Sequence, residues 1–352
     1  MDVLRNFLKR DWPYCVMAGF LIFVAVMLHA PGRHAPESGV APEDETYRIE
    51  FLDGSVFKER QARLEELVRV NPSVYFLLLA SNLGILVLFF GGIFFDAVAV
   101  QRWKRGQPVV PRTLDRVSVS WGIPDVIRFA LLFYSFAFIF LIAESRIAPL
   151  VKLAGSANFG FILNATVIDT VGVLFVLYFV TAVYGQDIRS IGITAKNCAQ
   201  NICYGLAGYA AIIPALVAAF AVTAMVLAVF KLKPPVQPIV DMLMKEKEVP
   251  VLVYSSVFAA VAGPVMEEIF FRGFMYNAFR KRVGVLGGML VTSAVFSVLH
   301  AHAVGFVPIM ILGMALVFLY EKTGSLIPSI TLHVTHNLAS LGLVFFVRMV
   351  GV

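Results

Sequence analysis

Charge is scarce in this chain. Of its 352 residues, 15% are Asp, Glu, Lys or Arg, while 59% are hydrophobic. Soluble domains carry about a quarter charged residues, so a large water-facing fold is excluded. Cysteine is scarcer still: Cys15, Cys198 and Cys203 show no metal spacing and no framework of pairs, and read as structural thiols. No HExxH stretch occurs, so the usual helix-borne zinc-protease signal is missing. No internal repeat is visible, which weighs against a transporter built from duplicated halves. The net charge is +6, but the basic residues flank apolar blocks. Membrane topology therefore explains them better than nucleic-acid binding, which is not expected.

What the chain has in excess is long apolar blocks. Spanning a bilayer as a helix takes about 20 such residues. Blocks of this kind run near 13–30, 73–100, 124–146, 160–185, 203–231, 250–278, 284–301, 303–321 and 325–349. The seventh and eighth are short, with only a tight turn at 301–306 between them. The expected fold is all-α, a polytopic transmembrane helix bundle of eight or nine spans. The first block follows the basic start MDVLRNFLKRD and has no small-residue cleavage site close behind it, so it reads as a retained span.

Basic residues orient the bundle. Arg5, Lys9 and Arg10 precede the first span, QRWKRGQPVVPRTLDR follows the second, and Arg280, Lys281 and Arg282 follow the sixth. The positive-inside tendency puts all three on the cytoplasmic side, N-terminus included. The polar segment near 31–72 then falls on the other face. Its first part is rich in Pro, Gly and charge; VFKERQARLEELVRV places Phe57, Leu64, Leu67 and Val68 on one face of an amphipathic helix. Such a helix lies on the membrane surface or packs on the bundle.

Against this background GPVMEEIFFRGF, residues 263–274, is anomalous. An ionisable residue at mid-bilayer costs roughly 2.5–3.5 kcal/mol, so Glu267, Glu268 and Arg272 unpaired would cost on the order of 8 kcal/mol. Glu268 and Arg272 are four apart and lie on one helical face, where they can pair. Glu267 is about 140° around the helix from Arg272 and is left without a local partner. It is the residue left over for chemistry.

Four of the six histidines, His300, His302, His333 and His336, fall near the C-terminus within or at the ends of apolar helices. Phe296 is four before His300, and His333 four before Asn337, so each pair shares a face. His302 is about 200° from His300, so one of the two points away, while His336 is only about 60° from His333 and spacing alone does not exclude it. Two chemistries remain open for this set. Glu267 could act as general base on water beside His300, with His333 and Asn337 donating to an oxyanion. Alternatively Glu267, His300 and His333 could hold a divalent metal such as zinc with water in an open position. Asp169, mid-span in NATVIDTVGVL, reads as an interhelical hydrogen-bonding residue, and Gly284 with Gly288 as a close-packing pair. Asp96 and Glu144 lie near span ends.

Taken in order, Glu267-Glu268-Ile-Phe-Phe-Arg272, Phe296-Ser-Val-Leu-His300 and His333-Val-Thr-His-Asn337 resemble the EExxxR, FxxxH and HxxxN motifs of the CAAX protease and bacteriocin-processing family of intramembrane endopeptidases, which includes the Rce1-like proteases. The approach YEKTGSLIPSITLH is similar too. The resemblance covers roughly residues 250–345. It implies that residues 250–349 form the catalytic core helices and 1–249 the preceding spans of one continuous bundle. It further implies catalytic Glu267, His300, His333 and Asn337, with Glu268, Arg272 and Phe296 in support, acting on a peptide bond of a membrane-associated or lipidated protein or peptide. The cofactor is a divalent metal or none. The expected location is a bacterial plasma (inner) membrane. The alternative from another class is a non-catalytic membrane scaffold or regulatory partner with the same fold.

Overall fold

Every element of the computed structural model is helical among the residues it describes, which are 11–29, 54–115, 118–151, 157–231, 237–300 and 304–350. The chain runs through α1 (Trp12–His29), α2 (Gly54–Val70), α3 (Pro72–Lys104), α4 (Ile123–Val151), α5 (Ala157–Leu177), α6 (Cys198–Phe230) and the short α7 (Pro238–Lys245). A long composite helix follows: α8 (Val249–Val257), α9 (Gly263–Glu268) and α10 (Asn277–Leu299), joined by wide-turned π segments at Phe258–Ala262 and Ile269–Tyr276. The chain closes with α11 (Phe306–Thr323) and α12 (Ile327–Val350). A third π segment, Tyr178–Val183, ends α5.

Seven helical stretches are long and apolar enough to cross a membrane, one of them the 51 residues Val249–Leu299. That stretch is not one rod. Gly284 has φ 76° and ψ −178°, a conformation that only glycine adopts without strain. The helix doubles back there: a Cβ on Gly288 would lie 3.0 Å from the backbone nitrogen of Arg280. Counting this hairpin as two passes and adding the shorter apolar Trp12–Val26 gives nine, the upper of the two numbers expected. The expected roles of the two glycines divide accordingly. Gly288 serves close packing, whereas Gly284 meets nothing within 4 Å and serves the reversal.

Contacts gather Asp11, the loop after α3 and Lys281 at one end of the bundle. Asp11 pairs with Arg128 at the head of α4 at 2.6 Å. Lys281 donates to the Val119 carbonyl at 3.2 Å, and the Leu114 N–H reaches Thr323 O at 2.9 Å, which brings in the end of α11. At the other end Arg348 near the C-terminus donates to the carbonyls of Leu243 and Glu246. Asp11 and Arg348 thus lie at opposite ends, as nine passes require. The amphipathic α2 packs against α3 and α12, so it joins the bundle; residues 31–53 lie outside the described residues.

Local chemistry explains where helices begin and stop. The Asn71 side chain accepts from the Ser73 N–H at 3.1 Å ahead of Pro72 at the first turn of α3, an N-cap followed by proline. Gly324, at φ 77°, ends α11 with its N–H on Tyr320 O at 2.8 Å. Small residues let α6 approach its neighbours: a Cβ on Gly205 would lie 2.5 Å from Thr331, and one on Gly92 of α3 would overlap Ala210 O. Bilayer-embedded helices associate through such close packing because lipid removes the hydrophobic incentive. The largest buried cluster is aromatic, built on Trp121, Phe129, Phe179, Phe271, Phe274 and Phe296. It lies beneath the second π segment, whose loosened backbone it helps to satisfy. The Trp121 indole N–H donates to Phe274 O at 2.9 Å, and the Asn277 amide to Gly273 O at 2.7 Å. The cysteines are unpaired and exposed.

Candidate active site

The two adjacent glutamates stand in different surroundings. Glu268 is fully buried, and its Oε1 accepts from Arg272 Nη1 at 2.7 Å, the pair expected from their spacing. The same oxygen accepts from His333 Nδ1 at 2.9 Å. A carboxylate paired with a guanidinium is ionised and only accepts, so the His333 proton sits on Nδ1 and the other ring nitrogen is turned away from Glu268. Arg272 is 1% exposed and stacks its guanidinium over the Phe296 ring, 4.4 Å from its centre. Burying such a charge is tolerable only with a partner and a polarisable neighbour, and Glu268 and Phe296 supply them.

Glu267 keeps 33% of its side chain exposed. Its Oε2 is buried, makes no hydrogen bond and lies 3.8 Å from His333 Nε2. That gap is too long for a direct hydrogen bond and suits a bridging molecule. Beyond it Glu267 opens into a cavity of about 530 Å³ between α4, α5, the second π segment and α10. His300, the residue that caps α10, also lines this cavity. Its Nδ1–H donates to Phe296 O at 2.7 Å, which fixes the ring and leaves Nε2 free of that bond.

Phe296 organises the group. Besides Arg272 it meets the His300 ring at 4.5 Å, the His333 ring at 5.7 Å and Phe271 at 5.0 Å between centres. Its four-residue offset from His300 places both on one face of α10. The phenyl ring, only 1% exposed, is the surface on which the other side chains are arranged.

Asn337 stands one turn beyond His333, and its amide donates to Ala259 O at 2.9 Å, inside the first π segment. That bond ties α12 to the backbone just ahead of the helix bearing Glu267. His336 is turned toward Tyr209 of α6, ring centres 6.1 Å apart, and takes no part in the cluster. His302 lies outside the described residues. Among the described residues no three His, Cys, Asp or Glu side chains are gathered as metal ligands. Glu267, His300 and His333 are near one another but are not gathered as the ligands of one ion.

Residues 249–339 match the family of type II CAAX prenyl endopeptidase Rce1-like proteins. The resemblance read from the three motifs holds at that level. The Rce1-like segment starts with α8, ends within α12 and contains every side chain of the cluster. The helices before it lie outside the match. Comparison with curated proteins and with solved structures gave no match.

One acid outside the Rce1-like segment lines the same cavity. Asp169 of α5 lines it together with Glu267 and His300, and it has no hydrogen-bond partner among the described residues. The expected interhelical hydrogen bond is not made. Glu144 does make one, accepting from Asn164 at 2.7 Å to link α4 and α5. The sequence marks Asp169 as a mid-span acid and Glu144 as one near a span end; only the packing of α5 on the second π segment brings Asp169 to this cavity.

Proposed function

We propose that the protein is an intramembrane endopeptidase that hydrolyses a peptide bond of a membrane-associated protein or peptide, with Glu267 activating water. One observation carries the reading: a carboxylate with a buried, unbonded oxygen facing an anchored imidazole at 3.8 Å, at the wall of a cavity. The Rce1-like match supports a protease of this class. Water held between Glu267 Oε2 and His333 Nε2 gives a proton to Glu267 as its oxygen attacks the substrate carbonyl. The tetrahedral oxyanion is assigned to the Asn337 amide; the donor role expected of His333 is not open to it, because its ring proton sits on Nδ1 and is held by Glu268. Glu267 then returns the proton to the leaving amine, which closes the balance of one water consumed and one peptide bond broken. His300 orients the substrate or water from the other side of the cavity. Glu268, Arg272 and Phe296 hold His333 in position without touching substrate, and the Asn337–Ala259 bond gives Asn337 a positioning role as well.

By the positive-inside tendency the end that gathers Asp11, Lys281 and the loop after α3 is the cytoplasmic one, with the protein in a bacterial plasma membrane. The test uses the purified protein in lipid vesicles with a membrane-protein extract, followed by mapping of new peptide termini. Wild type produces them, whereas Glu267→Ala and His300→Ala, folded by circular dichroism, do not. New termini from Glu267→Ala at the wild-type rate would overturn the assignment.

A further inference from the structure

The cavity in front of Glu267 contains more negative charge than water activation needs. Asp169 and Glu267 both line it, and among the described residues lining it His300 is the one basic group, with neither lysine nor arginine. The nearest guanidinium, Arg272, is committed to Glu268 behind the wall. Asp169 stands on the face of α5 that also carries Gly172 and Val173, opposite Phe129 and Phe133 of α4. A Cβ on Gly172 would lie 2.9 Å from the Phe133 ring, so this glycine lets the two helices close while the carboxylate one turn before it stays open to the cavity. A carboxylate inside a membrane-spanning bundle carries a desolvation cost and needs a counter-charge. Among the described residues no lysine or arginine lining the cavity provides one.

We propose that this cavity is a specificity subsite for a basic side chain: Asp169 receives the ammonium or guanidinium of a substrate Lys or Arg, and the aliphatic stem lies along Phe129, Phe133 and Phe270. Aromatic walls favour such a guest, because ring faces attract cations and the stem is apolar. The size fits as well, since a cavity of about 530 Å³ falls in the range of small-molecule sites. A bound cation also relieves the repulsion between Asp169 and Glu267. The inference rests on the peptidase reading for its substrate but not for its binding chemistry, and the experiment separates the two.

The probe is a set of N-acylated, membrane-anchored peptides in lipid vesicles, in which each position in turn is Lys, norleucine or Glu. Binding is measured by fluorescence anisotropy and cleavage by mass spectrometry, for wild type and Asp169→Asn. At one position wild type is expected to favour Lys over norleucine by about ten-fold or more in affinity, worth about 1.4 kcal/mol, and to disfavour Glu. In Asp169→Asn the Lys-to-norleucine ratio falls to about one. A ratio unchanged by Asp169→Asn, or equal weakening of the Lys and norleucine peptides, overturns the subsite. Binding with the expected preference but no cleavage sustains the subsite and removes the peptidase reading. Cleavage without any preference does the reverse.

Discussion

Two of the cavities between the helices differ more in chemistry than in size. One, about 530 Å³, lies between α4, α5 and the second π segment and holds Glu267, His300 and Asp169. The other, about 730 Å³, lies between α3, α6 and α11 and is lined by Phe95, Tyr204, Leu319 and other apolar groups, with Asp96 and Arg102 toward one side. The larger is the better greasy container, yet its arginine already donates to Pro108 O at 2.9 Å and no histidine lines it. At the wall of the smaller, Glu267 faces the buried His333, whose far nitrogen is anchored on Glu268. Reactive capacity here follows the partners of each polar atom, not the volume available.

The largest expected effect breaks the comparison at its centre. Glu267→Ala should lower cleavage by about a thousand-fold or more, at the upper part of what a positioned acid–base group contributes. Ala215→Phe, which narrows the larger cavity at an exposed position, should change it by no more than about two-fold. Equal losses from the two, measured as kcat/KM on one peptide, would erase the distinction. His333→Ala comes next, at about 10²–10³-fold in kcat, because it removes the group facing Glu267 and leaves Glu268 with Arg272 alone. Phe296→Leu sharpens the comparison further. It keeps an apolar side chain but removes the ring under Arg272, His300 and His333. We expect about a ten-fold loss in kcat with KM little changed, and a fall in thermal stability measured by tryptophan fluorescence.

The smallest effect lies away from both cavities. The Glu246 carboxylate accepts the backbone N–H of Glu248 at 2.8 Å, the Asn158 amide at 2.7 Å and the Lys247 N–H at 2.8 Å. These bonds, that of Glu248 first, hold its pKa below the usual carboxylate range. A depressed carboxylate contributes stability that is present above its unfolded pKa and is lost as pH falls through the lower folded value. The wild-type melting temperature should therefore drop by a few degrees at most on acidification, and Glu246→Gln should show a smaller drop, with cleavage at neutral pH unaffected. A steeper acid dependence in Glu246→Gln than in wild type would reverse the sign.

How much of this could be read from the sequence differs by residue. The Glu268–Arg272 pair and the separate direction of Glu267 follow from helical spacing alone, and the pair is made although Arg272 lies within the second π segment. Apolar blocks placed the passes to within a few residues, but the sixth was expected to stop near 278, whereas the helix continues to the reversal at Gly284. Hydropathy cannot see that stop, since it is a matter of backbone conformation. The π segments are also invisible to a 3.6-residue period, though they shape the backbone around Glu267. Phe296 was legible as a motif member but not as the ring that three other side chains share. Asp169 was legible only as an acid on an apolar helix, because its place beside Glu267 depends on how α5 packs against a segment about a hundred residues later in the chain.

The most direct test of the central claim follows the oxygen of water. Membrane-anchored peptides are digested in vesicles in ¹⁸O-enriched water by wild type and by Glu267→Ala, and the products are weighed by mass spectrometry. If Glu267 activates water in the smaller cavity, wild type yields new C-termini carrying one heavy oxygen and Glu267→Ala yields none. Labelled termini at equal rates from both proteins would contradict it.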